Sequence, residues 1–405
     1  MKQLGILFFL LLIVSCQDQN SAKFKVKQLV SEANDHSLTP NLFTSDNGDV
    51  YLSWLEKNDD AVQFKFSMFN ENIWNTPKLI SEGNNWFVNW ADFPSLIANN
   101  KTLSAHWLQK KAEGTYDYDV RITQSKDGGS SWSDSFIPHS DGVAAEHGFV
   151  SMLALPNDQN FATWLDGRNT KSSHGENNDH GGEGAMTVRG GIFNSSGEMI
   201  EDWELDNRTC DCCQTTAALT RDGIIVAYRD RSEDEVRDIY VTKRVNGNWS
   251  TPTPVFNDNW EISGCPVNGP SIAANEERVA ISWFTAANGY PEVKMAISTD
   301  AGISFGTPKI ISQGKTTGRV GLTYLDNGQI AISWLETDND LADIMLATFD
   351  ADGNEIHRQS IAQTSAARAS GFPVITNKKD ELIIAWTEAG DQLSQVKTAR
   401  VSLSN

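Results

Sequence analysis

Positive charge is in short supply: 33 Lys and Arg face 53 Asp and Glu, for a formal net charge of −20. A chain this acidic is repelled by polyanions and anionic lipid surfaces, which argues against nucleic acid as a partner and against attachment to a membrane through a basic face. Cysteine is scarcer still, five in 405 residues, so the chain is not a disulfide-stapled scaffold and has to bury a core of its own. No apolar run after Val14 is long enough to cross a bilayer as a helix. Stretches of helical period are few, while short alternating stretches are many, which points to strands.

The N-terminus carries one feature of its own. Lys2 precedes an apolar run from Leu4 to Val14, too short for a membrane span, and Ser15 stands before Cys16. This resembles a bacterial lipobox, whose cysteine is lipidated and becomes the first residue; the simpler alternative is a secretory signal with a chance cysteine. The expectation is a signal peptide over 1–15, a tether over 16–22 and a single domain over 23–405, held at the bacterial cell envelope through a lipid on Cys16 and touching the membrane in no other way. Export would leave Cys210, Cys212, Cys213 and Cys265 in an oxidising compartment where disulfides persist. Four cysteines allow three pairings, and the sequence does not choose among them.

One strand pattern recurs along the rest of the chain: VYLSWLE, LSAHWLQ, NFATWLD, IIVAYRD, VAISWFT, IAISWLE and LIIAWTE. Its aromatic anchors, Trp54, Trp107, Trp164, Tyr228, Trp283, Trp334 and Trp386, are spaced by 51 to 64 residues, the span of a four-stranded propeller blade with extended loops. The last unit is one strand short, and KVKQLVSE (25–32) near the N-terminus matches the missing one. The prediction is an all-β, seven-bladed β-propeller whose N-terminal strand completes the last blade and removes the open sheet edges.

Two hairpins share a further signature, SKDGGSSW (125–132) and STDAGISF (298–305). Ser125, Asp127, Gly129 and Trp132, and likewise Ser298, Asp300, Gly302 and Phe305, fit S-x-D-x-G-x-x-W/F. The Asp can accept backbone N–H groups in the turn, the Gly takes positive φ, and the aromatic packs inward. These hairpins resemble the Asp-box, or BNR, repeats of the sialidase superfamily, where they serve the fold and lie on the face opposite the active site. NWADFPS, EHGFVS, WLDGR, CDCCQTT, YRDRSEDEVRD and GCPVNGP resemble more closely a subgroup of exported, sialidase-like BNR proteins.

In a propeller the loops leading into the innermost strands share one face with the loops between second and third strands, and ligand sites in closed β-folds gather at such mouths. Fifteen residues before their anchors stand Asp92, Cys213, Arg319 and Gly371; seventeen or eighteen before stand His36, Glu146, His147, Cys265 and Arg368. The second set of loops contributes 110–119, 166–184 and 229–238. Glu56, Asp166, Asp230, Glu336 and Glu388, two residues past their anchors, add carboxylates to that rim. The anchors themselves read as packing between blades, RDRSEDEVRD (229–238) as a solvated loop of internal salt bridges, and His174-x5-His180 as a poor metal spacing.

Three functions fit this mouth. Sialidases bind a substrate carboxylate with clustered arginines and use a Tyr–Glu nucleophile and an Asp acid; the resemblance then implies Arg229, Arg319 and Arg368, with Arg168 nearby, as ligands for an acidic carbohydrate or other anionic small molecule, and Asp92, Glu146 and His147 as catalytic candidates. The departures are a seventh blade where sialidases have six, no Arg-Ile-Pro-type motif near the N-terminus, and no tyrosine with an evident glutamate partner. A polysaccharide lyase, with Arg319 neutralising a uronate and His147 or a tyrosine as base, suits the same ligand. The second function is a thiol or metal site in which Cys210, Cys212, Cys213 and Cys265, with histidine, hold Zn or Cu. The third is a binding or assembly module that does no chemistry. The expectation for RTCDCCQTT (208–216) is a disulfide to Cys265 that braces the mouth.

Overall fold

The computed structural model describes residues 24–59, 61–170, 184–390 and 393–403. Cys16 and the N-terminal segments, and most of the 166–184 loop with His174 and His180, lie outside the described residues.

Among the described residues the strands form seven sheets. Their innermost strands are Ser37–Thr44, Ser95–Asn99, His147–Leu155, Thr216–Thr220, Ser271–Asn275, Thr316–Tyr324 and Val374–Lys378. Each touches the next, and the seventh returns to the first, so the ring is closed. Every aromatic anchor falls on the second strand of its blade. The seventh blade is closed as the sequence predicts: Phe24–Leu29 pairs antiparallel with Ser394–Leu403, in register from Phe24 opposite Leu403 to Leu29 opposite Thr398. The second blade keeps three strands, its fourth reduced to a bridge between Ile122 and Phe136.

Why the second strands read as near-continuous apolar runs follows from the stacking of blades. Val50–Asn58 is buried from Val50 through Glu56, because one face packs against blade two and the other against blade seven. Outer strands such as Met199–Thr209 alternate between exposed and half-buried positions instead. All seven anchors are buried, as expected of packing residues.

A buried indole or phenol carries a hydrogen that needs an acceptor. Trp54 donates to Glu56 (2.8 Å), Trp164 to Asp166 (3.0 Å) and Trp334 to Glu336 (2.9 Å). Trp283 donates to Asp258 and Tyr228 to Asp206. Three of the carboxylates placed on the rim by sequence are therefore turned inward to the anchors. Burial alone would raise Glu56, yet Lys65, Trp54 and the Asn34 amide hold it below its ordinary value.

Both S-x-D-x-G hairpins fold alike. Asp127 accepts the Ser130 and Ser131 amides at 2.9 Å, and Asp300 accepts those of Ile303 and Ser304 at 3.1 and 2.9 Å. Ser125 and Ser298 accept the Gly129 and Gly302 amides at 2.8 Å. Gly302 has φ +84°, and a Cβ there would lie 2.5 Å from Ile225 Cδ1. Trp132 packs edge-on against Phe66, and Phe305 against the core between blades four and five.

Closure rests on the first strand, so Phe24, buried between blades six and seven, tests it. Phe24→Ala is expected to cost about 3–5 kcal/mol in denaturant unfolding; an unchanged midpoint would mean that this strand does not close the ring.

Candidate functional site at the channel mouth

The segment 86–93, leading into blade two's innermost strand, runs across the mouth. Trp90 stacks on Phe372 of blade seven with ring centres 5.9 Å apart. Gln214 of blade four donates to the Ala91 carbonyl (2.6 Å) and accepts the Gly269 amide of blade five (2.9 Å). Three blades are thereby tied together, and Asp92 is pinned beneath.

Asp92 is 1% exposed and accepts the Phe149 amide at 2.7 Å. Its other oxygen meets the Tyr118 hydroxyl at 2.9 Å, and the same hydroxyl meets Glu146 at 2.8 Å. Tyr118 is itself fully buried, stacked on Phe87 at 4.2 Å, while Glu146 is half-buried. A phenol has one proton to donate, so two ionised carboxylates around it would leave one acceptor facing a lone pair. Against the Tyr118 hydrogen bond, which favours the ionised forms, burial pushes Asp92 up to about 7, and burial with the nearby Asp92 charge pushes Glu146 up to about 8. Tyr118 is raised by burial and by both carboxylates. Both carboxyl groups are therefore raised toward neutrality, chiefly by burial. A partly accessible neutral carboxyl is a proton donor in waiting.

Tyr118 is the residue that sequence reasoning missed. It lies in the 110–119 stretch assigned to this face, but nothing in its spacing marks it. The structure supplies the tyrosine–glutamate contact whose partner the sequence did not reveal.

His147, although adjacent to Glu146, points the other way. Its ring stacks on His139 with centres 3.7 Å apart. Nε2 lies 3.0 Å from Asp141 and 3.6 Å from Asp166, while Nδ1 faces the Tyr118 and Ala145 carbonyls. Arg168 forks onto Asp166 through Nε (2.8 Å) and Nη2 (2.7 Å) and reaches Asp141 at 3.3 Å. Against the cost of burial, Arg168 and His147 hold Asp166 down at about 2; burial and the His147 charge push His139 down to about 3. With Asp119 and Lys111, these groups form an ion network between blades two and three, separate from the Asp92–Tyr118–Glu146 chain.

The other arginines differ in what they leave free. Arg229 is 1% exposed, and its donors go to the carbonyls of Asn268, Arg237 and Phe284, clamping blade four to blade five. Arg319 donates to Ser370 Oγ and the Gly371 carbonyl (both 2.8 Å) and lies over Trp90, 4.9 Å from the ring centre. Burial and the charge of Arg368 lower Arg319 to about 10. Arg368 is exposed on the rim. His36 is exposed in a left-handed conformation, φ 72°.

The cysteines correct one expectation. No disulfide links the described cysteines. Cys210 Sγ lies 3.5 Å from Cys213 Sγ and 3.8 Å from Cys212 Sγ, far beyond the bonded distance of about 2.05 Å. Cys210, Cys212 and Cys213 thus gather without pairing, and Cys265 reaches the group at Cys212. Among the described residues no histidine joins them, and the three mutually close ligand atoms of this group are all sulfur. Arg231 and Arg237 grip Glu235 at 2.6 and 2.7 Å, the internal salt bridges expected of RDRSEDEVRD.

No protein-family model matches the sequence, and no curated protein is similar enough to match. Solved structures do share the fold. An ulvan lyase, a polysaccharide lyase, superposes with a TM-score of 0.55 at 11% identity, covering 91% of this chain and 95% of that one; it is also known bound to a -[GlcA(1-4)Rha3S]- saccharide. The endosialidase of phage phi92 gives 0.51 at 9% identity, covering 95% and 70%. A puromycin-hydrolysing peptidase of Mycobacterium tuberculosis gives 0.50 at 9%, covering 89% and 53%. The likeness is one of fold: a seven-bladed propeller whose structural neighbours include glycan-acting propellers.

Carboxyls held protonated by the fold give a defined pH signature. Because their folded pKa values stand above the unfolded ones, their contribution is fully present below about pH 4 and is lost as pH rises through about 7 to 8. Each contributes a downward slope of at most about 1.4 kcal/mol per pH unit in that window. Glu146→Gln, which keeps an acceptor for Tyr118, should flatten the decline in stability between about pH 5 and 9; an unaltered slope would show that Glu146 is not raised.

Proposed function

We propose that this chain is a carbohydrate-acting propeller that takes an acidic saccharide at the mouth around Glu146, with Glu146 as the proton donor. The observation that carries this reading is the Asp92–Tyr118–Glu146 chain, with contacts of 2.9 and 2.8 Å. It keeps one carboxyl neutral where a glycosidic oxygen can be reached. On the same rim, exposed Arg368 and the neighbouring Arg319 offer positive charge to a uronate or sialate carboxylate. Structural neighbours that act on ulvan or bear the name endosialidase support the substrate class. In this reading Asp92 and Tyr118 set the protonation of Glu146, and His147 and Arg168 hold the wall behind it.

The test is a screen of uronate-containing polysaccharides and sialyl conjugates for binding and cleavage. An acidic saccharide is expected to bind in preference to its neutral analogue, with Arg368→Ala weakening it about tenfold (~1.4 kcal/mol) and more mildly at high salt. Where cleavage is seen, Glu146→Gln should lower turnover by about 100-fold or more with little change in binding. Equal binding of neutral and acidic saccharides, or turnover indifferent to Glu146→Gln, would overturn the proposal.

A further inference from the structure

The four cysteines beside this mouth are not used by the chemistry above, and their arrangement is not that of a packed core. Cys210 follows the outer strand Met199–Thr209 and is tied to blade four through its amide, which donates to the Arg229 carbonyl at 3.0 Å. The chain then turns, so that Cys212 and Cys213 come back toward Cys210 just before the innermost strand Thr216–Thr220. Cys265 arrives from a different loop, the one leading into blade five, and meets Cys212. Two loops from neighbouring blades thus deliver sulfur to one spot.

The spacing is informative. Sulfurs joined in a disulfide stand about 2.05 Å apart. Thiolates arranged tetrahedrally around one ion, at about 2.3 Å from it, stand about 3.8 Å apart along each edge. Cys210 Sγ is 3.5 Å from Cys213 Sγ and 3.8 Å from Cys212 Sγ, and the three sulfurs all lie within 4.8 Å of one another. The distances are those of ligands that share a centre.

Charge points the same way. Arg237, which is 3% exposed, donates Nη1 to Cys210 Sγ at 3.3 Å and is held in place by Glu235 at 2.7 Å. A buried guanidinium aimed at sulfur is stabilising when the sulfur is a thiolate. Cys210 and Cys213 are closed off from solvent, Cys212 is half-buried and Cys265 is exposed. The cluster is therefore walled on the inside and open at one ligand, the arrangement through which an ion enters and is then covered.

We propose that Cys210, Cys212, Cys213 and Cys265 form a thiolate site for a single thiophilic closed-shell cation, Zn(II) or Cu(I). Each cysteine that ligates gives up its thiol proton to solvent, and no electron is transferred. All-sulfur ligation suits both ions and disfavours Mg(II), Ca(II) and Mn(II), which take oxygen. Arg237 acts through Cys210 as a positioning residue, offsetting the negative charge of the ligands. The inference does not rest on the saccharide reading, since neither Glu146 nor Arg368 is a ligand.

The experiment uses the full chain, reduced, stripped with a chelator and kept without oxygen, then titrated separately with Zn(II) and with chelator-buffered Cu(I). Elemental analysis, thiolate-to-metal charge-transfer absorption and the number of thiols open to alkylation are read together. One ion per chain is expected, with at least three of these four thiols protected, and the ion that withstands the stronger competing chelator is the preferred one. Cys213→Ser should abolish binding; because it alters a buried position, Cys265→Ser, on an exposed loop, serves as the second variant and should weaken binding about tenfold or more while leaving the melting temperature of the metal-free chain in place. Arg237→Gln should weaken it by a similar factor. Stoichiometric binding by neither ion, binding unchanged in both cysteine variants, or metal-free conversion of the four thiols into two disulfides on exposure to air in the presence of either ion would overturn the proposal.

Discussion

A blade of this protein cannot bury itself. Its second strand is apolar on both faces, and each face is covered only because another blade lies against it, so the whole structure depends on the ring being closed. The last blade is completed by a six-residue strand from the other end of the chain, Phe24–Leu29 against Ser394–Leu403. The same stacking drives large aromatics into the seams between blades, and with them a polar hydrogen that is met at five of the seven anchors and left without an acceptor among the described residues at Trp107 and Trp386. Where the anchor is Trp54, Trp164 or Trp334, a carboxylate two residues further along the strand meets it. Ring closure and the side-chain bonding of the seams are thus one problem with a repeated solution.

What closure does for function is to bring together loops distant in sequence. Asp92, Tyr118 and Glu146 come from three separate stretches of blades two and three. Tyr118, at the start of blade two's third strand, bridges to Glu146 at the entry to blade three, and its hydroxyl meets both Glu146 and Asp92. Gln214, reaching from blade four to Ala91 and Gly269, fixes the depth of the segment that carries Asp92. The thiol cluster is built on the same plan, from the loops leading into blades four and five. The mouth is accordingly a composite of blades two to seven, and its chemistry depends on contacts between blades rather than within any one of them.

Much of this was legible in the sequence because it is periodic. Trp54 through Trp386 recur at blade spacing, and the one missing strand matched KVKQLVSE, so the architecture followed from counting. Counting back from the anchors also placed Asp92, Glu146, Cys213, Cys265, Arg319 and Arg368 on one face. What counting does not give is direction and partner. Glu146 and His147 are neighbours in sequence, yet alternate strand geometry sends one toward Tyr118 and the other into the Asp141–Asp166 network. Arg229 and Arg319 stand at the mouth by position, but their donors are taken up largely by carbonyls and Ser370, leaving Arg368 as the exposed cation. The cysteines were expected to pair, on the grounds of compartment; side-chain geometry holds them apart around a shared point. Tyr118 had no periodic mark at all, because its role comes from two carboxylates that reach it from other stretches.

The central claim is that burial beside Tyr118, together with the closeness of Asp92 and Glu146, keeps one of these two carboxyl groups protonated at neutral pH. Infrared difference spectroscopy between the wild type and Glu146→Gln reads this directly through the carbonyl stretch of a neutral carboxylic acid. A protonated-carboxyl band at pH 7 in the wild type, lost or shifted in Glu146→Gln and displaced on deuteration, is the predicted result. Ionised Asp92 and Glu146 together at pH 7, with no such band to lose, would contradict it.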